Sequence, residues 1–443
     1  MNKKVFFWAL TSALSGFLFG FDTVVISGAE QSVQGLWGLS DGMHGLVLSA
    51  ALWGTVLGAV FGSWPADKLG RKKTLLGIGV LYFVSALGSA IAPDPTVLMI
   101  ARFIGGVGIG ISTVAGPLYI SELAPPKHRG RLTGLYQFNL VFAILIAFVS
   151  NALLSDIGDN AWRWMLGVEA IPALLYTVFC FTIPESPRWL ILNKGDKEAG
   201  KDILRQVNTD MSEEALTTLV DQIADSGKHD VSTHGFFSMK LIKPIMLVFL
   251  LSAFNQLSGI NAVLYFAPRI FEMGGLEAKA ALLQSIGIGL TNVIFTFIGL
   301  YLIDKAGRKV LLLIGSVGYI ISLGMIAWCF AAENFTFMPY FIFAFIGSHG
   351  IGQGAVIWVY ISEIFPAKHR AHGTSFGVSV HWVFAAVITL VFPILVGKYN
   401  PQYIFGFFSL MMVLQLLWVI FIVPETKGRS LEDMEETLHI SKA

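Results

Sequence analysis

Apolar positions in this chain run together instead of alternating with polar ones. Twelve stretches of roughly twenty residues carry almost no charge, and each stops at a charged cluster, a proline or a polar turn. About 20 helical residues cross a hydrocarbon layer of about 30 Å. The pattern therefore predicts twelve membrane helices, near Val5–Ile26, Met43–Trp64, Leu75–Ala92, Thr96–Ile120, Leu132–Leu154, Trp164–Ile183, Ile245–Pro268, Ala280–Ile303, Val310–Ala331, Met338–Ile361, Gly373–Val396 and Tyr403–Val423. Lys3 and Lys4 before the first run imitate a signal peptide, but the run is too long and no small-residue cleavage site closes it. It reads as a retained span.

Between the spans, Lys and Arg are unevenly shared. One set of connections holds Lys3, Lys4, Lys68, Arg71, Lys72, Lys73, Lys127, Arg129, Arg131, Lys305, Arg308, Lys309, Lys368, Arg370, Lys427 and Arg429. The alternate set holds little beyond Arg163, Arg269, Lys279 and Lys398. Positive residues mark the cytoplasmic face, so both termini are expected in the cytoplasm. The one long polar stretch, 185–243, falls on the same side. Its apolar residues (Ile203, Leu204, Val207; Leu216, Leu219, Val220, Ile223) are spaced for short amphipathic helices.

Composition narrows the class. Of 443 residues, 55% are hydrophobic and 13% charged, with mean hydropathy +0.69. A soluble domain carries about twice that charged share, so a soluble enzyme and a disordered scaffold are excluded. A net charge of +1 offers no electrostatic basis for a nucleic-acid partner. Cys180 and Cys329 both sit in apolar runs, and no zinc-ligand spacing is present, so no disulfide framework, metal or cofactor is expected.

An internal repeat then fixes the architecture. Asp67-Lys68-Leu69-Gly70-Arg71-Lys72 returns as Asp304-Lys305-Ala306-Gly307-Arg308-Lys309, and Tyr119-Ile120-Ser121-Glu122 returns as Tyr360-Ile361-Ser362-Glu363. Pro184-Glu185 returns as Pro424-Glu425, and Gly20-Phe21-Asp22 is echoed by Gly259-Ile260-Asn261. All four repeats fall in one order at an offset of about 240 residues. Six spans separate equivalents, so the halves share one orientation. Parallel six-helix halves describe an all-α integral membrane protein of the major facilitator fold. The expected segments are a six-helix half over 1–184, a cytoplasmic helical linker over 185–243, a second half over 244–423 and a tail over 424–443.

Polar side chains inside spans mark pathways. Asp22 in span one and Arg102 at the start of span four are expected to face each other, because an isolated ion in hydrocarbon is costly. Burial favours the protonated form of a carboxyl and a nearby arginine favours the charged form, so such an acid can trade a proton as its arginine contact forms or breaks. The competing reading is a static ion pair. Asn255, Gln256 and Ser258 cluster before Gly259, with Asn261 and Tyr265 on one helical face beyond it. Carboxamides both donate and accept, which suits a ligand bearing several hydroxyls. Gln137 and Asn139, Trp358, and His381 with Trp382 add amides and indole faces from other spans. Asn292 and His349 read equally well as interhelical contacts. Gly54, Gly58 and Gly62 repeat every four residues for close helix approach, and Gly106-Val107-Gly108-Ile109-Gly110 lacks the strand a nucleotide loop needs. At cytoplasmic helix ends, Glu122 with Arg129, Asp304 with Arg308 and Glu363 with Arg370 are expected to join the halves when that side is closed. Asp67, Arg71, Glu185, Arg188 and Glu425 complete this candidate gate.

Taken together, Gly20-Phe21-Asp22, Asp67-Lys68-Leu69-Gly70-Arg71-Lys72, Pro184-Glu185-Ser186-Pro187-Arg188-Trp189-Leu190, Gly259-Ile260-Asn261 and Pro424-Glu425-Thr426-Lys427-Gly428-Arg429 carry a family likeness across the whole chain. The chain resembles the sugar porter family of the major facilitator superfamily. That resemblance implies a proton site at Asp22 with Arg102 as its partner, and sugar contacts at Gln137, Gln256, Asn261, Tyr265, Trp358 and Trp382, with Phe19 lining the pocket between the halves. Facilitative relatives carry Asn at the Asp22 position, so Asp favours symport. The chain departs from the family at Asn255 (for Gln), at Gly352-Gln353-Gly354-Ala355 (for Ser-Trp-Gly-Pro), at Ile144 and at His381. The expected activity is import of a monosaccharide with a proton across a bacterial inner membrane, by a monomer and without enzymatic chemistry. Alternatives are a facilitative uniporter, a sugar receptor and a drug–proton antiporter.

Overall fold

A computed structural model describes residues 3–125, 128–209, 211–226, 236–238, 241–366, 369–429, 434 and 437–438. Among the described residues, twelve helices are long and apolar enough to cross a membrane: α1 (Lys3–Trp37), α2 (Asp41–Phe61), α3 (Arg71–Ala90), α4 (Pro95–Leu123), α5 (Gly130–Ile157), α6 (Ala161–Thr182), α7 (Ile242–Tyr265), α8 (Ala278–Ala306), α9 (Arg308–Ala331), α10 (Met338–Glu363), α11 (His372–Lys398) and α12 (Pro401–Phe421). Among the described residues there is no strand. The fold is the all-α major facilitator type. Lipid-facing packing inverts the soluble pattern: along α12 the exposed large apolar residues are Tyr403, Phe407, Leu410, Leu414, Leu417, Ile420 and Phe421, while Phe408, Ser409, Met412 and Gln415 are buried.

The largest departure from the sequence expectation is α1. It continues to Trp37, well beyond Ile26, and its 35 residues make it about 50 Å long. Ser27, Gly28 and Glu30 end the apolar run without ending the helix, because backbone hydrogen bonding does not require apolar side chains. Three of the described spans are interrupted instead, α6 at Val168 and Glu169 between Ala161–Gly167 and Ala170–Thr182. In α7, Gly259 adopts φ 83° between Ile242–Leu257 and Ile260–Tyr265, a left-handed backbone open to glycine at no steric cost. In α10, Gly352 separates Met338–Ile351 from Gln353–Glu363. Local caps set other starts: the Asp94 carboxylate accepts from the Thr96 and Val97 N–H groups at 2.8 and 3.0 Å, with Pro95 in the first turn.

The chain divides into two compact units, Met1–Thr23 with Ala50–Ala147 and Arg163–Val231, and Val24–Ser49 with Phe148–Trp162 and Ser232–Ala443. In the first, Gly54 and Gly58 lie against the backbone of Phe103 and Val107, and Gly106 against Ala51, so both glycine runs serve close helix contact. Short helices Lys197–Val207 and Glu213–Ser226 pack through Ile191, Leu204, Leu216 and Val220. They are also tied by Arg205 to Glu213, Nε to Oε1 at 2.7 Å.

The sequence repeat reappears as a repeated polar node. In the first unit, the Arg71 guanidinium donates to both oxygens of Glu122, each at 2.9 Å, and to the Ala66 carbonyl at 2.9 Å. The Glu185 carboxylate accepts from the Arg71 and Lys72 N–H groups that open α3. In the second unit, Arg308 donates to both oxygens of Glu363 at 3.0 and 2.7 Å, and Glu425 accepts from the Arg308 and Lys309 N–H groups at the start of α9. Each carboxylate lies against a glycine, Gly70 at φ 94° and Gly307 at φ 93°. The Gly307 backbone, ψ 162°, belongs to a region held almost only by glycine, and any other residue costs about 1–3 kcal/mol there. Gly307→Ala is therefore expected to lower the melting temperature in detergent by several degrees. Gly406→Ala, where a Cβ meets nothing within 4 Å, is the control and should leave it unchanged.

Candidate functional site

In the first unit the site is built on a buried ion pair. Asp22 and Arg102, 1% and 2% exposed, meet at 2.5 Å between Oδ1 and Nη1, and Nη2 donates to the Asp22 backbone carbonyl at 3.0 Å. Gly105, one turn beyond Arg102, leaves the space in which α4 approaches Ser85 and the Asp22 carboxyl. Sequence reasoning missed the third member. Glu169, also 1% exposed, places a second carboxyl beside that of Asp22 and in the field of Arg102. Asp22 Oδ2 and Glu169 Oε1 have no hydrogen-bond partner among the described residues, nor do the hydroxyls of Tyr82 and Ser85. With both carboxyls ionised, two negative charges face one positive charge in a dry site. A single proton removes the excess. The available signal was a lone glutamate inside the sixth apolar run. Also in this unit, Phe19 is buried, Gln137 is half-buried on α5, and Asn139 donates to the Leu135 carbonyl at 2.8 Å, which makes it a helix contact.

The second unit holds the candidate ligand contacts. Gln256 Nε2 lies 3.0 Å from Asn255 Oδ1 and 3.1 Å from His381 Nε2. The His381 ring is 4.9 Å from both the Trp358 and Trp382 rings, with Trp382 edge-on. Gln256, Asn261, Tyr265, His381 and Trp382 are buried and Trp358 is half-buried. Gln256 Oε1 and Asn261 Nδ2 have no hydrogen-bond partner among the described residues. One is an acceptor and the other a donor, the complement of a hydroxyl-bearing ligand. Asn292 instead accepts from Thr296 at 3.3 Å and His349 Nδ1 lies 2.6 Å from the Tyr319 hydroxyl, so both side chains are engaged with neighbouring protein groups.

A second polar cluster in this unit was not foreseen. Glu30 and His44 are fully buried, with Oε2 and Nε2 2.7 Å apart. Arg269 Nε and Nη2 donate to the two Glu30 oxygens at 2.9 and 2.7 Å, and Nη2 also donates to Gln34 Oε1. Beside it, Gln31 donates to Glu272 at 3.0 Å. Burial pushes the Glu272 carboxyl upward, against the pull of that hydrogen bond.

Of the expected gate pairs, Asp304 with Arg308 is present, while Glu122 and Glu363 take other partners. Glu122 and Glu363 are held by Arg71 and Arg308 of their own units, and Asp67 and Asp304 join the same arginines at 3.1 and 3.2 Å. Nearness in sequence suggested Arg129 and Arg370, but tertiary approach delivered arginines more than fifty residues away. The Arg129 side chain lies outside the described residues, as do Lys127 and Lys368. Arg370 Nε and Nη2 find no acceptor among the described residues, and Arg188 is exposed.

A family model described as Sugar (and other) transporter matches residues 8–438. The D-xylose-proton symporter of Escherichia coli (strain K12) is 33% identical over 474 residues, covering 98% of this chain and 96% of that protein. The arabinose-proton symporter of Bacillus subtilis (strain 168) is 34% identical over 433 residues, covering 96% and 93%. Among solved structures, the proton:xylose symporter XylE bound to 6-bromo-6-deoxy-D-glucose superposes with a TM-score of 0.81 at 32% identity, covering 99% of this chain and 100% of that one.

Proposed function

The chain belongs to the sugar transporter family, and on that premise we propose that it is a secondary active transporter importing a monosaccharide, hexose or pentose, with a proton by alternating access. The observation that carries the proton half is the buried Asp22–Arg102 ion pair with the Glu169 carboxyl beside Asp22. Breaking the Arg102–Asp22 bond leaves a buried carboxylate without its counter-ion and beside a second carboxyl, a charge that a proton can neutralise, so proton uptake and release follow the making and breaking of that bond. The sugar half rests on the unused Gln256 oxygen and Asn261 amide beside the Trp358, His381 and Trp382 rings. Those groups match the hydroxyls and apolar faces of a sugar ring.

The protein works as a monomer in the bacterial inner membrane, with both termini and the 185–243 segment cytoplasmic, as the lysine and arginine bias argues. Its partners are the sugar, the proton and the bilayer. One proton moving through about 100 mV and one pH unit supplies about 3.7 kcal/mol, enough for several-hundred-fold accumulation of a neutral sugar. The test is purified protein in liposomes with a trapped pH dye, given D-xylose, L-arabinose and D-glucose in turn. Internal acidification that tracks entry of one of these sugars is the expected result. Sugar equilibration with no proton signal would leave a facilitative uniporter.

A further inference from the structure

Gln256 does not end its hydrogen bonding at Asn255. Asn255 Nδ2 donates to Gln353 Oε1 at 3.4 Å, and Gln353 Nε2 donates to Gln415 Oε1 at 2.8 Å. Gln415 Nε2 donates to the Ser316 hydroxyl at 2.7 Å, and that hydroxyl donates to the Leu312 carbonyl at 2.7 Å. Four carboxamides from α7, α10 and α12 thus stand head to tail, ending on α9. Gln353, Gln415 and Ser316 are 0% exposed and Asn255 and Gln256 1%, so no solvent can satisfy a link that turns round. The backbone makes room for the chain: Gly315 and Gly352 leave no space for a side chain between α9 and α10 beside it.

An amide has one donating end and one accepting end, and its direction is set by its neighbours. Ser316 donates to a backbone carbonyl, so its oxygen is left to accept. That turns the Gln415 NH₂ toward Ser316 and its oxygen toward Gln353, and the same choice passes through Gln353 and Asn255 to Gln256. Both hydrogens of the Gln256 amide are then taken, by Asn255 Oδ1 and His381 Nε2. Only its oxygen is left for a ligand.

We propose that Ser316, Gln415 and Gln353 are positioning residues that lock Gln256 as a hydrogen-bond acceptor, so that the transported sugar must present a donating hydroxyl there. This rests on the sugar-transport reading above and adds specificity to it. A rigid acceptor refuses fluorine, which cannot donate; a carboxamide free to turn offers its NH₂ instead.

The experiment measures competition by singly deoxygenated and singly deoxyfluorinated D-xyloses, L-arabinoses and D-glucoses for counterflow of the parent sugar into proteoliposomes. At one ring position of the accepted sugar, wild type should lose about tenfold in apparent affinity for both analogues, the cost of a buried acceptor left unpaired. In Gln415→Met, and in the milder Ser316→Ala, the fluoro penalty at that position should shrink to about twofold, with the other positions unchanged. The combined variant should do no more than either alone, since both break one chain. A uniform weakening across all analogues, or an unaltered wild-type pattern in both variants, would overturn the positioning role. If wild type carries none of D-xylose, L-arabinose and D-glucose, the transport reading itself falls, and the positioning role falls with it.

Discussion

Replacing Asp22 by asparagine is expected to abolish accumulation of sugar against a gradient while leaving exchange of labelled sugar between the two sides intact. Asparagine keeps the size of the side chain and still offers an acceptor to Arg102, whose Nη2 keeps its bond to the residue 22 carbonyl, so the helices remain packed. What it cannot do is carry a proton. On the proposed coupling, wild type should support several-hundred-fold accumulation and Asp22→Asn none. In the liposome assay the acid signal disappears in the variant and equilibrium exchange stays within a few-fold of wild type. Loss of exchange together with acidification would instead mark Asp22 as a structural partner of Arg102. Acidification that persists in Asp22→Asn would move the proton to Glu169.

The second large effect belongs to Arg269. Removing one partner of a buried ion pair costs about 3–5 kcal/mol, because the remaining charge has neither water nor counter-ion. Glu30 is fully buried and takes two of its hydrogen bonds from Arg269 and one from His44. Arg269→Met should therefore lower the detergent melting temperature by several degrees and cut transport more than tenfold. Replacing both charges together often proves close to neutral, so Glu30→Gln combined with Arg269→Met should regain most of the lost stability. A single variant that melts like wild type would show that Glu30 does not depend on Arg269.

The twelve spans were legible because each rests on a local property, a run of apolar residues long enough to cross a bilayer. The repeat was legible because sequence identity survives between the halves at Asp67-Lys68 and Asp304-Lys305, Glu122 and Glu363, Glu185 and Glu425. The approach of Asp22 to Arg102 followed from cost alone, since two isolated charges in apolar spans need each other. Other features escaped for identifiable reasons. Glu30 lies beyond Ile26, where the first apolar run ends, but helical hydrogen bonding does not end where polarity begins. Glu169 stood alone in its run, and no spacing rule points from it to a carboxyl on another helix. The arginines that hold Glu122 and Glu363 lie 51 and 55 residues away, beyond any periodicity. Gln353 was noted only as a departure from the family pattern and Gln415 not at all. Their order becomes visible only when α7, α9, α10 and α12 stand side by side.

The length of α12 ties the protein to its host membrane. Its 21 residues span about 31 Å, with Asn400 capping one end and no apolar residue to spare beyond the other end but Ile422 and Val423. A long helix adjusts to a thin bilayer by tilting, but a helix already as short as the hydrocarbon layer has no tilt to give up. In a thicker membrane the lipid itself must thin around α12, at a fraction of a kcal/mol per Å of mismatch. Acyl-chain length thereby becomes an allosteric variable, acting on every conformation in proportion to the apolar height it presents.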